Sequence, residues 1–297
     1  MQRVCLCACV QVRALAPPSL YFWRYLQTLL ASSKIMSTRL SPLAIALALS
    51  LSSPTLRAAE TASLWTVPAP RLVKEAYFSN LTDGASIDTP YLLKFGLTGI
   101  GLTPIVKAVA GTGHHHLLVN RELPMDFGKP LPFNDQYIHF GKGQMETVLN
   151  FAPGTYTLRL VLADERHIPN FVYSKPITIT VKKKNTEIDA KSLVKPGVEI
   201  LSPQSGAVAK APFRLALHAS GLNVANMALT DKGNGHFRVR IKGAEREELI
   251  ALNNGFTEIW MNPPAGNYTA QVEFIDNSTP DKVLATGATP VAFRIER

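Results

Sequence analysis

Cysteine is almost missing from this chain: three of its 297 residues are cysteine, and Cys5, Cys7 and Cys9 all lie within the first ten positions. Beyond residue 9 the sequence therefore excludes disulfides, thiolate metal sites and a cysteine nucleophile. The rest of the chain must fold around ordinary hydrophobic cores, which domains of about 110 residues can supply.

Signatures of the common enzyme classes are also absent. The chain contains no Gly-x-Ser-x-Gly elbow of a serine hydrolase, no His-Glu-x-x-His pair of a zinc protease and no glycine-rich phosphate loop. We therefore expect a protein that is not an enzyme.

Acidic residues are missing from the first 58 positions, which carry six basic side chains. Within this stretch, residues 36–39 form a short basic start, residues 40–51 an apolar run of 12 residues, and residues 52–58 a polar exit with small side chains. This order predicts a secretory signal peptide over residues 36–58, and its apolar run is too short for a membrane anchor. We expect export to the bacterial periplasm or the medium; an uncleaved N-terminal anchor is the alternative.

Residues 1–35 fit no targeting pattern, because two prolines and an arginine interrupt their apolar stretch. We interpret them as an extension upstream of the true start at Met36. Without the first 58 residues the chain carries 25 basic and 22 acidic side chains, so it is nearly neutral. No nucleic-acid partner is expected, because no aromatic residues interleave the lysine run at 182–184.

One domain occurs twice in the sequence. Residues 82–90 align with residues 204–212, and Gly113-His114 aligns with Gly235-His236, at an offset of 122 residues. Further on, residues 153–157 align with residues 265–269 at an offset of 112. The first copy therefore carries about ten additional residues, which lie between positions 120 and 143.

Both copies show short segments typical of β-strands. In the first copy, residues 91–97, 146–151, 156–162 and 177–181 alternate in polarity or are rich in β-branched side chains, and Gly, Pro, Asn and Asp separate them. We expect an all-β protein with two tandem immunoglobulin-like, Greek-key β-sandwich domains; a Greek-key barrel is the alternative. The expected boundaries are 76–184 for the first domain, 185–197 for a linker and 198–297 for the second domain.

Histidine is concentrated in the first copy. Of His114, His115, His116, His139 and His167, only His114 has a counterpart in the second copy. Alternation along a strand places His114 and His116 on one face, where both imidazoles can reach one metal ion, and His139 and His167 could complete the ligand set. Imidazole-rich sites without thiolate suit Cu(II), Zn(II) or Ni(II).

Secondary candidates are His115, Met125, Met145 and Asp164. Either methionine could add a soft ligand for copper. His115 points inward, where a half-buried core position is expected, and Asp164 recurs as Asp276 in the copy without the extra histidines, which favours turn capping. For the histidines as a set, the alternative is a structural network that stiffens the additional residues.

Four sequence blocks occur in order within residues 76–181: Gly113–Leu118 (GHHHLL), His139–Gln144 with Glu146, Pro153–Leu158, and Asp164 with His167–Pro169. This order resembles a bacterial family of secreted domains of unknown function, numbered 4399, and the second copy resembles a degenerate member. The resemblance implies a small exported β-domain with no established activity. It also marks His114, His115, His116, His139 and His167 as hallmark positions.

The expected function is that of an exported module that binds copper or zinc through His114, His116, His139 and His167. Two alternatives remain open at this stage. One is a non-metal envelope module that binds a protein or a glycan through the loops at one end of each sandwich. The other is a histidine-based metalloenzyme, which would need an open coordination position and a substrate cleft. No stable membrane span is expected after cleavage.

Overall fold

Strands dominate the computed structural model, which describes residues 63–71, 73–124, 126–279 and 281–296. The predicted leader, the extension before it, the three cysteines and Met125 lie outside these residues. Within them, no helix is long and apolar enough to span a membrane.

The strands of the N-terminal segment and the first repeat are β1 (Thr66–Val67), β2 (Glu75–Phe78), β3 (Ser86–Thr89), β4 (Tyr91–Thr98), β5 (Gly101–Leu102), β6 (Thr112–Val119), β7 (Tyr137–His139), β8 (Glu146–Leu149), β9 (Gly154–Ala163), β10 (Pro169–Tyr173) and β11 (Ile177–Lys184). A 3₁₀ helix (Ala190–Leu193) precedes the strands of the second repeat, β12 (Gly197–Ser202), β13 (Val208–Lys210), β14 (Phe213–Ser220), β15 (Asn223–Val224), β16 (Asn234–Lys242), β17 (Glu247–Ala251), β18 (Glu258–Met261), β19 (Gly266–Asp276), β20 (Val283–Thr286) and β21 (Val291–Glu296).

The first repeat is a sandwich of two sheets. One sheet has the order β2-β4-β8, and the other has the order β3-β11-β9-β6-β5 with β7 beside β6 and β10 beside β9. Strand β11 shows how alternation builds the core: Ile177, Ile179 and Val181 are buried, whereas Thr178 and Thr180 between them are exposed. The branched side chains face the opposite sheet, and the threonines face solvent.

The second repeat has the same plan. Strands β12, β14 and β18 form one sheet, and the other has the order β13-β21-β19-β16-β15 with β17 beside β16 and β20 beside β19. The prediction of tandem immunoglobulin-like sandwiches is confirmed, and the sheets stay open rather than closing into the alternative barrel. In addition, β1 pairs with the outer edge of β18, which the sequence did not predict.

The additional residues of the first repeat lie between β6 and β7. This connection, which we call the insertion, spans residues 120–136, whereas residues 243–246 join the equivalent strands β16 and β17. The insertion covers the outer face of β6 and β9, where its residue Leu131 packs with Leu118, Val161 and Ala163 in a small buried cluster. On the same face of the second repeat Arg238 instead pairs with Glu273. The insertion thus turns an outer sheet surface into a buried layer.

The two repeats contact each other through equivalent residues, within one compact unit of the chain. The N–H of Leu102 donates to the carbonyl of Gly255 at 2.8 Å, and the N–H of Val224 donates to the carbonyl of Gly143 at 3.0 Å. Both glycines have positive φ, 81° at Gly143 and 72° at Gly255. A Cβ on either would lie 2.0 Å from a carbonyl oxygen of the other repeat, so only glycine permits this approach.

Two buried carboxylates reinforce the contact. Glu146 accepts hydrogen bonds from the Ser220 hydroxyl at 2.7 Å and the Gly221 N–H at 2.9 Å, and its equivalent, Glu258, accepts from the Thr98 hydroxyl at 3.0 Å. Burial alone would raise the pKa of Glu146, but hydrogen bonds from His218, Ser220 and Gly221 outweigh it and lower that pKa. The contact therefore has approximate twofold symmetry, as between two copies of one domain.

Candidate metal centre

Strand β6 carries His114 and His116 on its outer face, the face that the insertion covers. Their partners in the antiparallel ladder with β9 are Ala163 and Val161, whose small or branched side chains leave room for two imidazole rings. Both histidines are completely buried. Their positions at i and i+2 put both rings on one side of the sheet, as the sequence predicts.

His139 comes from the neighbouring strand β7, where it lies directly opposite His116 in the register. Cross-strand neighbours of this kind have Cβ atoms about 4.5–5.5 Å apart, so their side chains meet. The register therefore joins two residues that lie 23 positions apart in the sequence.

His167 reaches the cluster from the turn after β9. Its φ of 64° is left-handed, which is uncommon for a residue with a Cβ. Asp164 holds this turn, because its carboxylate accepts from the N–H groups of Arg166 and Ile168, both at 2.9 Å, and its carbonyl accepts from the His167 N–H at 2.9 Å. The His167 carbonyl in turn accepts from the Leu131 N–H of the insertion at 2.9 Å.

The four side chains His114, His116, His139 and His167 form one cluster. The Nε2 atoms of His114 and His116 lie 2.9 Å apart, and those of His139 and His167 lie 3.1 Å apart. One ring nitrogen from each of the four lies within 4.8 Å of the others. Metal–nitrogen bonds of about 2.0–2.1 Å separate neighbouring nitrogens by about 2.9 Å in a square plane and about 3.4 Å in a tetrahedron. The two closest spacings, 2.9 and 3.1 Å, fall in this range, and the four residues could hold a metal ion.

Burial lowers the pKa of His114, His116 and His139 and so favours their neutral form. It lowers the pKa of His114 to about 3, and repulsion from His139 and His167 acts in the same direction. It also lowers the pKa of His116 to about 2, with repulsion from His114 adding to the effect. The pKa of His139 is lowered as well, by burial and then by His167. Neutral imidazole is the form that binds metal, so no proton has to leave His114 or His116 at neutral pH.

The secondary candidates lie elsewhere or have other partners. His115 points into the sandwich core, where its ring centroid lies 5.3 Å from that of Phe95; it is completely buried rather than half-buried as expected. Burial lowers its pKa to about 3. Met145 belongs to the main core, and its carbonyl accepts from the Phe95 N–H at 2.7 Å, so it lies away from the face that carries the cluster. Asp164 caps the turn of His167, the role that its recurrence favours.

Phe133 marks the accessible side of the cluster, and sequence analysis did not identify it. Its ring centroid lies 4.6 Å from that of His167 and 5.3 Å from that of His139, and 64% of the residue is exposed. His139 and His167 are only partly buried, in contrast to His114 and His116. The only sequence signal for Phe133 is its place in the insertion, because nothing in the sequence shows that this segment folds back over the sheet.

Residues 93–182 match a family described as a domain of unknown function, DUF4399. The matched range runs from β4 to β11 and includes all four histidines of the cluster. No curated protein matches the chain.

Several solved structures of serial β-sandwich modules are similar to this chain. The fibronectin(III)-like modules of Clostridium thermocellum CbhA are 15% identical, with 74% of this chain and 92% of that chain covered and a TM-score of 0.24. The chicken CNTN1 FN1–FN3 domains are 10% identical, with 73% and 67% covered and a TM-score of 0.22. A two-domain fibronectin type III segment of chicken tenascin is 13% identical, with 75% and 98% covered and a TM-score of 0.18.

Proposed function

We propose that the first repeat, which belongs to the DUF4399 family, binds one late transition-metal ion through ring nitrogens of His114, His116, His139 and His167. The observation that carries this proposal is the convergence of four imidazole nitrogens within 4.8 Å of one another. We further propose that the protein acts in an exported, oxidising compartment, as the leader-like sequence at residues 36–58 suggests.

The contrast with His236 favours a metal over a purely structural network. His236 is the counterpart of His114, and its Nδ1 makes a 2.7 Å hydrogen bond with the side-chain oxygen of Asn277. In the cluster, by contrast, the Nε2 atoms face one another in pairs, at 2.9 Å for His114 and His116 and at 3.1 Å for His139 and His167, rather than an amide, carboxylate or backbone acceptor. A structural histidine is normally satisfied by a backbone or side-chain acceptor.

The donor set favours copper or zinc. The cluster offers four imidazole nitrogens and no thiolate or carboxylate. Imidazole suits both ions, and at nitrogen sites Cu(II) generally binds more tightly than Zn(II). Four imidazoles already fill a tetrahedral coordination sphere, so a binding or storage role fits the site better than metalloenzyme chemistry, which needs an open position.

Titration of untagged, metal-free residues 59–297 with Cu(II) and Zn(II) tests the proposal. We expect one ion per chain by calorimetry, tighter for Cu(II), and a nitrogen-only shell at about 2 Å by X-ray absorption. The double variant His114→Ala, His116→Ala should lose this binding. The matched control His236→Ala should retain it, because it removes the equivalent histidine from the second repeat. Equal weak binding by the wild type and the double variant would refute the proposal.

A further inference from the structure

The four histidines of the cluster differ in their access to solvent. His114 and His116 are completely buried, whereas His139 and His167 are partly buried. A groove of about 610 Å³ has His139 in its wall. A metal ion that comes from solvent along this groove therefore meets His139 and His167 before it reaches the two deeper rings.

The lining of the groove suits the passage of a cation. Tyr137, Ile138 and Phe151 form part of its wall, and Asp135 supplies the one carboxylate among its lining residues. Asp135 is exposed. An exposed carboxylate attracts cations from solvent, and the imidazole of His139 in the same wall can then bind them.

Phe133 covers this approach to the histidines. Its ring meets the ring of His167 edge-on at a centroid distance of 4.6 Å and the ring of His139 at 5.3 Å, with interplanar angles of 70° and 73°. Phe133 also lines the groove. An ion on its way to the ring nitrogens has to pass this side chain, which offers it no nitrogen or oxygen ligand.

The backbone around Phe133 is held on both sides, whereas the side chain is not. Leu131 is buried, and its N–H donates to the His167 carbonyl at 2.9 Å. On the other side, the carbonyl of Asn134 accepts from the Tyr137 N–H at 3.0 Å. Phe133 itself is 64% exposed. Little packing therefore opposes a rotation of its ring away from the two histidines.

We propose that metal enters and leaves the cluster through this groove, and that the ring of Phe133 is the gate that limits both steps. This inference rests on the proposed metal binding and concerns the control of exchange at the same site. With the ring turned away, His139 and His167 take up the ion first, and His114 and His116 then complete the ligand set. Release follows the same path in reverse.

The two aromatic contacts set the size of the effect. Edge-on aromatic pairs are attractive, so they favour the closed position of the ring. Rotation of an exposed side chain is fast, and metal exchange therefore proceeds from the open fraction. An open fraction of about one-tenth lowers the rates of entry and release by about tenfold each, which corresponds to about 1.4 kcal/mol. Because both rates change by the same factor, the dissociation constant does not change.

Stopped-flow kinetics of residues 59–297 loaded with Zn(II) test the gate. An excess of a colorimetric chelator measures the release rate, calorimetry measures the dissociation constant, and the two together give the rate of entry. We expect Phe133→Ala to release and take up Zn(II) about tenfold faster, with a dissociation constant within about twofold of the wild type. Phe133→Leu, which keeps an apolar side chain without an aromatic ring, should also accelerate both steps.

The matched control is Phe171→Ala. Phe171 is 78% exposed and stacks on Phe127, with a centroid distance of 4.7 Å, rather than on the cluster. Its replacement removes an equally large exposed ring and should leave the rates of entry and release unchanged.

Three results would overturn the inference. Equal rates for the wild type and both Phe133 variants would show that the ring does not limit exchange. Equal acceleration by Phe171→Ala would show that the effect is not specific to the groove. A dissociation constant that changes as much as the release rate would make Phe133 a part of the binding site instead of a gate. Failure of the proposed function is distinct, because the wild type would then bind no Zn(II) in calorimetry.

Discussion

The buried imidazole of His115 predicts a specific dependence of stability on pH. Burial lowers the pKa of His115 to about 3, whereas an unfolded histidine titrates near 6.5. Below pH 6.5 the His115 imidazole therefore binds a proton in the unfolded chain but not in the folded chain. The free energy of unfolding then falls with decreasing pH until the folded pKa is reached, and above pH 6.5 this contribution vanishes.

The substitution His115→Phe isolates this effect. Phenylalanine is the residue at the equivalent position of the second repeat, Phe237, which is also completely buried. A single proton taken up only on unfolding costs about 1 kcal/mol at pH 5.5 and about 3 kcal/mol at pH 4.5, relative to pH 7.5. From pH 7.5 to pH 5.5 the free energy of unfolding of the variant should therefore fall by about 1 kcal/mol less than that of the wild type. From pH 7.5 to pH 4.5 it should fall by about 3 kcal/mol less. Any packing change caused by the larger ring is independent of pH and cancels in this comparison.

Urea denaturation of the metal-free protein at pH 7.5, 5.5 and 4.5, followed by intrinsic fluorescence, measures the difference. Chelator must be present throughout, because protons and metal compete for the neighbouring histidines. Parallel pH profiles for the wild type and His115→Phe would refute the reasoning, since they would show that His115 is protonated equally in the folded and unfolded chains.

Three further predictions concern the turn and the contact between the repeats. Asp164→Ala should weaken metal binding by about tenfold to a hundredfold in calorimetry, because the turn that carries His167 loses three hydrogen bonds that the carboxylate accepts. Glu146→Gln should destabilise the protein by about 2 kcal/mol in urea denaturation, since one amide cannot accept all the bonds that this buried carboxylate accepts; Glu258→Gln tests the equivalent site. Gly143→Ala should cost about 3 kcal/mol in the same assay, because its Cβ would collide with a carbonyl of the other repeat, whereas Gly84→Ala, at a φ of 76° in open space, should cost about 1 kcal/mol.

The strand pattern and the internal repeat were sufficient to predict the fold. Alternation in segments such as β11 predicts which side chains face the core, and it also predicts that His114 and His116 share a face. Convergence of His139 and His167 on that face was only a hypothesis from the sequence, because no local pattern specifies how strand β7 pairs or how the turn after β9 bends. The complete burial of the histidines was not predictable either, since it depends on the insertion folding back over the sheet.

Features that depend on pairing between residues far apart in the chain could not be predicted from the sequence either. Residues 66–67 are too few to show a strand pattern, and they pair with β18, about 190 residues further along the chain. The contact between the repeats leaves a faint trace, because Glu146 and Glu258 recur at equivalent positions. In the sequence, however, neither glutamate can be distinguished from an ordinary polar residue. Only the structure shows that each contacts the other repeat.

The second repeat lacks both the insertion and three of the four clustered histidines. On the outer face of β16 and β19, Arg238 pairs with Glu273, an arrangement that suits a partly solvated surface. The residues at the equivalent positions of the first repeat are His116 and Val161. A pair of this kind is not expected on an exposed surface. Histidines on a bare sheet would be hydrated and free to protonate, whereas burial under the insertion lowers the pKa of His114 and His116. Conversely, an insertion over ion pairs would bury charge at high cost. Neither change is favourable alone, and the first repeat has both whereas the second has neither.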